Sequence, residues 1–507
     1  MRKKIMLRPW NLHLEIVRGS STPIHIQIAE TIVDEIQLGR FLPGSVLPGT
    51  RELANKLQLN RKTVVQAYDE LISKGWLTTE SKRGTFVSSR VLMVSQASKV
   101  SNPLFMPISV NKHRLPASLI PNENPNGSLH QKRDLQLLNL SDDLPDARLI
   151  PFPLFSRAMR HATTALSRNN KLHYSDPKGS AILRKAVLNM LNMERGFHTD
   201  LEQICIVRGS QMGLFLAARL LADSDSYFVF EQLHNPLARE TFKNCGAKIL
   251  TDSHNQHGIN IDALEKLCIN HPVKAIYVTP HHQMPTGVVM PIENRKALLK
   301  LAERYQFTII EDDSGCELND SKNMPASIAS MDSNGHVIYI GSLSKVLAPG
   351  FRVGYVVASS SIISQCASDI TMMDRQGNTM IENAIAELLH TGEIKRHINK
   401  TAKIYSDRKA HLMDLIYSEL GDFCTVMPSN SGLGIWLDLA TYICPDLLIK
   451  DAEKQKIILH CANYYSENSA IFGLRLCFSH LNKDEMTAAI LRLKNVFLFQ
   501  SDMALSA

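Results

Sequence analysis

The sequence predicts an α/β domain with a mainly parallel sheet, preceded by a small helical unit that ends in a β-hairpin. Two observations lead to this fold class. From about residue 135 short apolar runs alternate with helical patterns, and the first 90 residues repeat apolar positions at helical spacing. Five prolines within residues 91–130 predict an extended linker between the two parts. The predicted domains are residues 1–90 and 135–507, with the linker over 91–134.

The composition excludes several classes of protein. Of the 507 residues, 44% are hydrophobic and 21% charged, which excludes a wholly disordered chain. No apolar run approaches the roughly 18 residues that span a membrane, and no apolar segment follows the basic N-terminus as in a secretory signal. The nine cysteines form no C-x-x-C pair, which argues against a disulfide framework or a zinc ribbon. We therefore expect a cytoplasmic protein with no membrane partner.

The positive charge is concentrated at the N-terminal end. Residues 1–90 hold 14 Lys and Arg against 8 Asp and Glu, a charge of +6 out of a total of +7. A small basic unit favours a polyanionic partner, most simply double-stranded DNA. A basic solvated tail would carry the same charge, so the pattern within the unit has to decide.

Three helices are predicted in this basic unit. The first begins at Pro23 and ends at Gly39. Its inward face consists of Ile28, Ala29, Ile32 and Ile36. Thr50 is predicted to cap the second helix, and Asn60 to cap the third after a tight turn. The first turn of the third helix presents Arg61, Lys62 and Thr63.

A hairpin follows the helices. Its predicted strands are Trp76–Thr79 and Thr85–Val87, and its basic tip consists of Lys82, Arg83 and Gly84. The arrangement predicts a helix-turn-helix, in which the first residues of the third helix meet base edges and phosphates. The hairpin is expected to act as its wing.

This unit resembles the winged-helix domain of the GntR family of bacterial transcription regulators. The resemblance rests on the stretches GRFLPGSVLPGTRELANKLQLNRKTVVQAYDELISKGWLTT and RGTFV. It implies DNA contacts by Arg51, Arg61, Lys62, Thr63, Arg83 and Gly84. The alternative is a helix-turn-helix that contacts another protein.

Six apolar runs in the large domain are predicted to be buried strands, most of them separated by helical stretches. They are Ile204–Val207, Tyr227–Phe230, Lys248–Leu250, Ala275–Val278, Thr308–Ile310 and Val337–Ile340.

The strongest chemical motif is GSLSKVLAPGFRVGY, which follows the last of these strands. Its Lys345 amine can form a Schiff base with an aldehyde cofactor. The hydroxyls of Ser342 and Ser344, with the guanidinium of Arg352, can hold a dianionic phosphate. A lone lysine in a loop is usually solvated, but the surrounding motif favours the chemical interpretation.

Three weaker signals accompany this motif. Asp312 ends a strand, where a carboxylate can pair with a protonated pyridine nitrogen or simply cap a helix. Ser210 and Gln211 follow another strand and open a helix, whose free amides suit a phosphate. Arg475 can bind a substrate carboxylate, although a surface ion pair is the alternative interpretation.

Together these residues resemble a fold-type I aminotransferase, specifically the aminotransferase-like domain of the MocR subfamily of GntR regulators. The matching stretches include DARLIPFPLF, LHYSDPKGSAILRKAV, VRGSQMGLFLAARLLA, IIEDDSGCEL and LRLCFS. The resemblance implies pyridoxal 5'-phosphate (PLP) as cofactor, with Lys345 as its lysine and Asp312 on its ring nitrogen. Tyr174 would reach the phosphate from the partner subunit of a homodimer, and Arg475 would hold a carboxylate. The phosphate would be surrounded by Ser210, Gln211, Ser342, Ser344 and Arg352.

The chain departs from the family pattern at three positions near the ring. His234 and Asn235 stand where an aromatic usually stacks, Ser314 stands where a tyrosine usually follows the aspartates, and Met284 precedes Pro-Thr-Gly. A neutral His234 imidazole could still stack on the ring. We expect no metal at the adjacent His281 and His282, because neighbouring residues of an extended segment point in opposite directions.

Three functions remain open at this stage. The leading hypothesis is a DNA-binding transcription regulator whose large domain senses PLP or an amino compound. A ligand can shift such a protein only if it prefers one of two arrangements. The alternatives are a PLP-dependent aminotransferase that carries a DNA-binding module, and a regulator whose large domain no longer binds PLP.

Overall fold

The computed structural model describes residues 22–37, 40–80, 83–89, 137–141, 143–169, 173–255, 257–315, 324–428 and 431–505. They form two compact units, which divide within the segment between residues 89 and 137. The predicted linker, Gly39 and Lys82 lie outside the described residues. No helix among the described residues has the length and apolar character needed to cross a membrane.

The N-terminal unit has the predicted winged-helix elements. They are α1 Ile24–Gln37, α2 Thr50–Leu57, α3 Arg61–Ser73, β1 Leu77–Glu80 and β2 Gly84–Val87. The predicted inward face of α1 is confirmed, since its buried residues are Ile28, Ala29, Ile32 and Ile36. These side chains pack with buried residues of α2, α3 and the hairpin into one apolar cluster.

The caps of α2 and α3 differ in how well the sequence predicted them. Asn60 caps α3 as expected, because its side chain accepts a hydrogen bond from the Lys62 amide at 2.9 Å. Thr50 was predicted to cap α2, and this is wrong. Gly49 takes the extended cap position, and the Thr50 hydroxyl instead accepts a bond from Arg61 Nε at 3.4 Å. That contact ties the starts of α2 and α3 together.

The hairpin is attached to the segment that precedes α2. Val46 and Phe86 form an isolated antiparallel bridge, and the Leu47 amide donates to the Thr85 carbonyl at 2.8 Å. The Val87 amide donates to the Ser45 carbonyl at 2.9 Å. Backbone bonds therefore fix the wing to the body of the unit.

The large unit contains a seven-stranded sheet and a four-stranded sheet. In chain order its strands are β3 Leu138–Asn139, β4 Ile204–Val207, β5 Tyr227–Glu231, β6 Lys248–Asp252, β7 His254–Asn255, β8 Gly258–Ile259, β9 Val273–Val278, β10 Thr308–Asp312, β11 Val337–Ser342, β12 Gly354–Val357, β13 Cys424–Val426, β14 Gly434–Leu439, β15 Ile457–Ile458, β16 His460–Cys461 and β17 Gly473–Cys477. All six strands expected from the apolar runs are present.

The seven-stranded sheet has the order β4-β12-β11-β10-β9-β5-β6. Only β12 runs against its neighbours, β11 and β4; the other pairs are parallel. The predicted fold class, α/β with a mainly parallel sheet, is therefore confirmed. The sequence did not indicate β12, whose first two residues are the last two of the lysine motif. Because the other strands point the same way, the carboxyl ends of β4, β10 and β11 share one edge.

Helices surround the sheets and bury both faces of the large one. They are α4 Phe152–Arg168, α5 Ala181–Arg195, α6 Ser210–Leu221, α7 Pro236–Asn244, α8 Ile261–Asn270, α9 Ile292–Tyr305, α10 Ile328–Met331, α11 Ser360–Met373, α12 Thr379–His390, α13 Glu393–Glu419, α14 Pro445–Lys454, α15 Ala462–Tyr465 and α16 Lys483–Leu505. Alternate residues of β10 belong to different apolar clusters, Ile309 to one and Ile310 to the other. This alternation follows from the pleat of a strand buried on both faces.

The four-stranded sheet is antiparallel, in the order β13-β14-β17-β16, and it packs in a separate apolar cluster with α13, α14 and α16. Its strand β17 carries Arg475, which faces Trp436 of β14 in the register of the sheet. The second sheet thereby supplies one functional side chain.

Candidate cofactor and effector site

The predicted site residues of the large unit gather at one edge of the seven-stranded sheet. Asp312 ends β10, Ser342 ends β11, and Lys345 follows three residues later. Ser210 begins α6 just after β4. Arg352 precedes β12, and because β12 runs in the opposite direction, its start lies at this same edge. Ligands of open α/β sheets bind outside the carboxyl ends of the strands, so the location suits a binding site.

The loop between β11 and β12 is held by Ser344. Its hydroxyl accepts a hydrogen bond from the Val353 amide at 3.1 Å and lies 3.3 Å from the Val353 carbonyl. The Leu343 amide also donates to that carbonyl at 3.0 Å. The Ser342 hydroxyl accepts from the Ser344 amide at 3.3 Å. The two serines thus shape the loop that presents Lys345, and their contact with a phosphate stays a prediction.

Arg352 lies against the glycine that opens α6. Its Nη2 donates to the Arg208 carbonyl at 2.8 Å, and a Cβ on Gly209 would lie 3.0 Å from the guanidinium. Gly209 has φ +75° and ψ 169°, a conformation that is essentially restricted to glycine. A guanidinium and the free amides of a helix start therefore lie side by side, which is a combination that favours a phosphate.

Asp312 is buried and its carboxylate is oriented by two neighbours. Tyr277 donates its hydroxyl to Asp312 Oδ2 at 2.9 Å. The Ser314 amide and hydroxyl both donate to Oδ1, at 3.1 and 2.5 Å. Ser314, which replaces the expected tyrosine, is therefore used to hold the aspartate.

The next residue, Asp313, is the centre of a buried polar network. It accepts hydrogen bonds from the Tyr339 hydroxyl at 2.6 Å and from Arg195 at 3.2 Å, and His281 Nδ1 lies 2.9 Å away. Burial alone would raise the pKa of Asp313, but the charges of His281 and Arg195 outweigh burial and hold that pKa well below its usual range. In return, Asp313 raises the pKa of His281 against the opposite effect of burial. The network fixes the carboxyl end of β10 beside Asp312.

Lys345 makes an ion pair that the sequence analysis did not predict. Its Nζ lies 2.7 Å from Asp143 Oδ2, and Asp143 Oδ1 lies 3.4 Å from Arg475 Nη2. Arg475 is fully buried, where its Nε donates to the Pro285 carbonyl at 3.1 Å. The lysine and the arginine therefore meet at a single carboxylate. The sequence signal that could have indicated this ion pair was the acidic residue Asp143 just ahead of the DARLIPFPLF stretch.

His282 lies next to the same group of charges. Burial, together with the charges of Arg475 and Lys345, lowers its pKa to about 3, so the imidazole is neutral at physiological pH. A Cβ on Gly432 would lie within 1.9 Å of the ring, so only a glycine leaves room for it. His281 points to Asp313 instead. The two histidines lie in a turn, closed by a bond from the His282 amide to the Thr279 carbonyl at 3.1 Å, and not on the extended segment that was expected.

Three residues that were expected near the cofactor, Gln211 at its phosphate and His234 and Asn235 at its ring, have other contacts. Gln211 donates to the Thr241 hydroxyl at 2.7 Å. His234 Nδ1 lies 2.9 Å from the Glu231 carbonyl. Asn235 caps α7 by accepting from the amides of the first turn.

Tyr174 lies on the surface, with 76% of its area exposed and the Arg375 guanidinium 4.6 Å from its ring centre. A side chain this exposed is available to a partner subunit, and its contact with the partner's phosphate stays a prediction.

The predicted DNA-contacting residues lie where a winged helix would present them. Arg51, Arg61 and Lys62 are exposed in the first turns of α2 and α3, and Thr63 is half-buried behind them. Arg83 is exposed at the hairpin tip beside Gly84. Its guanidinium pairs with Glu80 and lies 5.7 Å from the ring centre of Phe86.

The residues at the sheet edge fit PLP. An oriented buried carboxylate, a lysine on an adjacent loop and a guanidinium at a helix start match the ring nitrogen, the aldehyde and the phosphate. The fit also depends on Gly315, at φ +103°, because a Cβ there would lie 3.0 Å from Lys345 Cδ. A side chain at position 315 would therefore press against the aliphatic part of Lys345.

Comparison with known proteins identifies two families along the chain. Residues 140–493 match the family of aminotransferases class I and II, and residues 25–87 match the gntR family of bacterial regulatory proteins.

Similar proteins include regulators and an enzyme. The probable rhizopine catabolism regulatory protein MocR of Rhizobium meliloti is 24% identical, covering 96% of either chain. The pyridoxine biosynthesis transcriptional regulator PdxR of Corynebacterium glutamicum is 26% identical, covering 89% of this chain and 92% of its own. The solved kynurenine aminotransferase of Pyrococcus horikoshii, in complex with PMP, is 25% identical with a TM-score of 0.66, covering 72% of this chain and 91% of its own.

Proposed function

Since the chain belongs to the aminotransferase class I and II family and carries a gntR-family domain ahead of it, we propose that its large unit senses an effector for its DNA-binding unit. The protein is a transcription regulator of the MocR type with an aminotransferase-like domain. The effector is PLP itself or an amino compound that reacts with bound PLP. Sensing requires only that the effector prefers one of two arrangements of the protein, and no turnover is needed.

The observation that carries this proposal is the convergence of three anchors at one sheet edge. Lys345 would bond to the cofactor aldehyde, Asp312 would pair with the ring nitrogen, and Arg352 with Ser210 would hold the phosphate. PLP supplies an aldehyde that reacts with amines. The chain's own residues orient the cofactor, since Tyr277 fixes Asp312 and Gly209 gives Arg352 its place.

The DNA-binding unit supports the regulatory part of the proposal. Arg61 and Lys62 are exposed in the first turn of α3, the position from which a recognition helix contacts base edges and phosphates. The protein would act as a homodimer, with Tyr174 completing the partner's site. A two-fold dimer is expected to bind paired half-sites on double-stranded DNA.

An absorbance titration with PLP tests the cofactor proposal. The full-length protein is expected to gain the visible absorbance of lysine-bound PLP at one equivalent per chain, and Lys345→Ala to lose it. Lys409→Ala serves as a matched control, because Lys409 is a second partly buried lysine of the large unit. Operator binding measured with and without PLP and candidate amines then tests sensing.

Each alternative function predicts a different outcome. A wild type that stays colourless with excess PLP would indicate a scaffold that no longer binds the cofactor. Turnover of amino acids with 2-oxo acids at ordinary enzyme rates, which are about 1–1000 per second, would favour an aminotransferase. Operator binding that is unchanged after removal of residues 1–90 would contradict the regulatory function.

A further inference from the structure

We propose that Asp143 is an internal carboxylate that occupies the place of an effector's carboxylate on Arg475, so that the site selects amines without a carboxylate. This inference rests on the proposed function and narrows the class of effector. An amino acid would have to displace Asp143 to reach Arg475, whereas a simple amine would not.

The geometry places Asp143 between the two cations that an amino acid would use. Its Oδ2 lies 2.7 Å from Lys345 Nζ, where an effector amine would have to approach. Its Oδ1 lies 3.4 Å from Arg475 Nη2, on the side where an effector carboxylate would bind. One aspartate therefore spans the amine end and the carboxylate end of the site.

The contact between Asp143 and Arg475 is an ion pair without a hydrogen bond. Among the described residues, neither Asp143 Oδ1 nor Arg475 Nη2 has a hydrogen-bond partner, although both atoms are buried. A buried donor and a buried acceptor that lack hydrogen bonds destabilise the folded protein, unless a bound ligand supplies the missing bond. Asp143 can complete this pair by a small movement, because its other oxygen is held by the flexible side chain of Lys345.

Electrostatics keep Asp143 ionised in this place. Burial would raise its pKa, but the positive charges of Lys345 and Arg475 outweigh burial and hold the pKa well below its usual range. The neighbouring His282 is neutral and adds no charge. Among the residues that the structure describes, the fixed charges in contact here are Lys345, Arg475 and Asp143.

Cofactor binding would strengthen the exclusion of effector carboxylates from Arg475 by Asp143. Lys345 would bond to the cofactor aldehyde with loss of one water, and while so bonded its nitrogen would not pair with Asp143 as a free ammonium group. An effector amine that takes over the aldehyde would release Lys345 as a free amine. Of the cations that the described part of the chain places against Asp143, Arg475 then remains. A second carboxylate on that guanidinium would face a like charge in a buried setting, which is unfavourable. An amine without a carboxylate avoids this repulsion, and its own N–H groups can donate to Asp143.

Matched pairs of ligands test the inference. Cadaverine and lysine differ only in a carboxylate, as do tyramine and tyrosine. Titration of the PLP-loaded wild type, followed by absorbance, is expected to show affinities for the amines at least about tenfold higher than for the amino acids. Asp143→Asn is expected to raise the affinity for lysine by at least about tenfold, the lower end of the coupling measured for close charge pairs. Asp407→Asn is the control, because Asp407 is an exposed acid of α13 that pairs with Lys483.

A PLP-free measurement separates this inference from the proposed function. Calorimetry with glutarate is expected to show at least about tenfold tighter binding to Asp143→Asn than to the wild type, since the variant removes the carboxylate that competes for Arg475. Asp143→Ala is measured as a second variant, and circular dichroism checks that both variants fold. A wild type that fails to take up PLP would refute the cofactor proposal, while the glutarate comparison would still decide on Asp143. The inference is overturned if wild type prefers the amino acids, or if both Asp143 variants fold and leave the ligand preference unchanged.

Discussion

Replacing Asp313 with asparagine tests whether the buried polar network holds the carboxyl end of β10 in place for the cofactor. The aspartate is 4% exposed and accepts from the Tyr339 hydroxyl at 2.6 Å and from Arg195 at 3.2 Å, with His281 at 2.9 Å. Asparagine keeps the size of the side chain but removes its charge. It also turns one acceptor into an amide donor that faces other donors.

The expected loss of stability follows from the partners that remain. Removing one member of a buried ion pair costs about 3–5 kcal/mol. Asp313 is in contact with both Arg195 and His281, and we therefore expect the free energy of unfolding of Asp313→Asn to fall by about 3–5 kcal/mol at pH 7. Because Asp312 is the adjacent residue, PLP affinity should fall as well.

The stabilisation that the Asp313 network provides depends on pH in a direction set by its two pKa shifts. The folded-state pKa of Asp313 is lowered, so its stabilisation is present above the unfolded value of about 3.9 and is lost as pH falls through the folded value. The pKa of His281 is raised, so its stabilisation is complete below about 6.5 and is lost as pH rises through the folded value. The difference in unfolding free energy between wild type and Asp313→Asn should therefore be largest at pH values between these two limits. It should become smaller at lower and at higher pH.

Urea unfolding followed by circular dichroism measures this gap at several pH values. Asp407→Asn is the control, because it removes the same charge from an exposed pair and should cost about 1 kcal/mol or less. A loss at pH 7 of less than about 0.5 kcal/mol in Asp313→Asn, within the usual range of surface substitutions, would refute the reasoning. So would a gap that stays constant down to acid pH.

Two further substitutions test the DNA-binding face and the phosphate end of the site. Arg61→Ala should weaken operator binding and lower the salt-dependence slope by about one, as expected for one lost phosphate contact, whereas Lys74→Ala at the far end of α3 should change little; fluorescence anisotropy at several salt concentrations measures both. Gly209→Ala should lower PLP affinity about tenfold or more, because its backbone strain of about 1–3 kcal/mol adds to a 3.0 Å contact with Arg352. Gly350→Ala, where a Cβ meets nothing within 4 Å, is the matched control in that absorbance titration, and equal affinities of the two variants would contradict the assigned role of Gly209.

The local parts of the structure could be predicted from the sequence. Periodic apolar residues fixed the inward face of α1, and uninterrupted apolar runs located six strands of the large sheet. Asn60 was recognised as a cap because capping depends on residues two or three positions away. Thr50 was not placed correctly, because Gly49 can take the same extended cap position one residue earlier. The lysine motif was recognised because its groups lie close together in the chain.

The sequence by itself determined the two-part organisation, the fold class and the residues that could anchor PLP, because periodicity and motif spacing are local properties of a chain. Only the tertiary structure decided which groups those anchors meet. Asp143 and Lys345 are 202 positions apart, and their pairing arises from the packing of separate elements. The same holds for His281 with Asp313, and for Arg475, which the second sheet brings to the site. Long-range contacts depend on how elements pack together, and no local pattern records that arrangement.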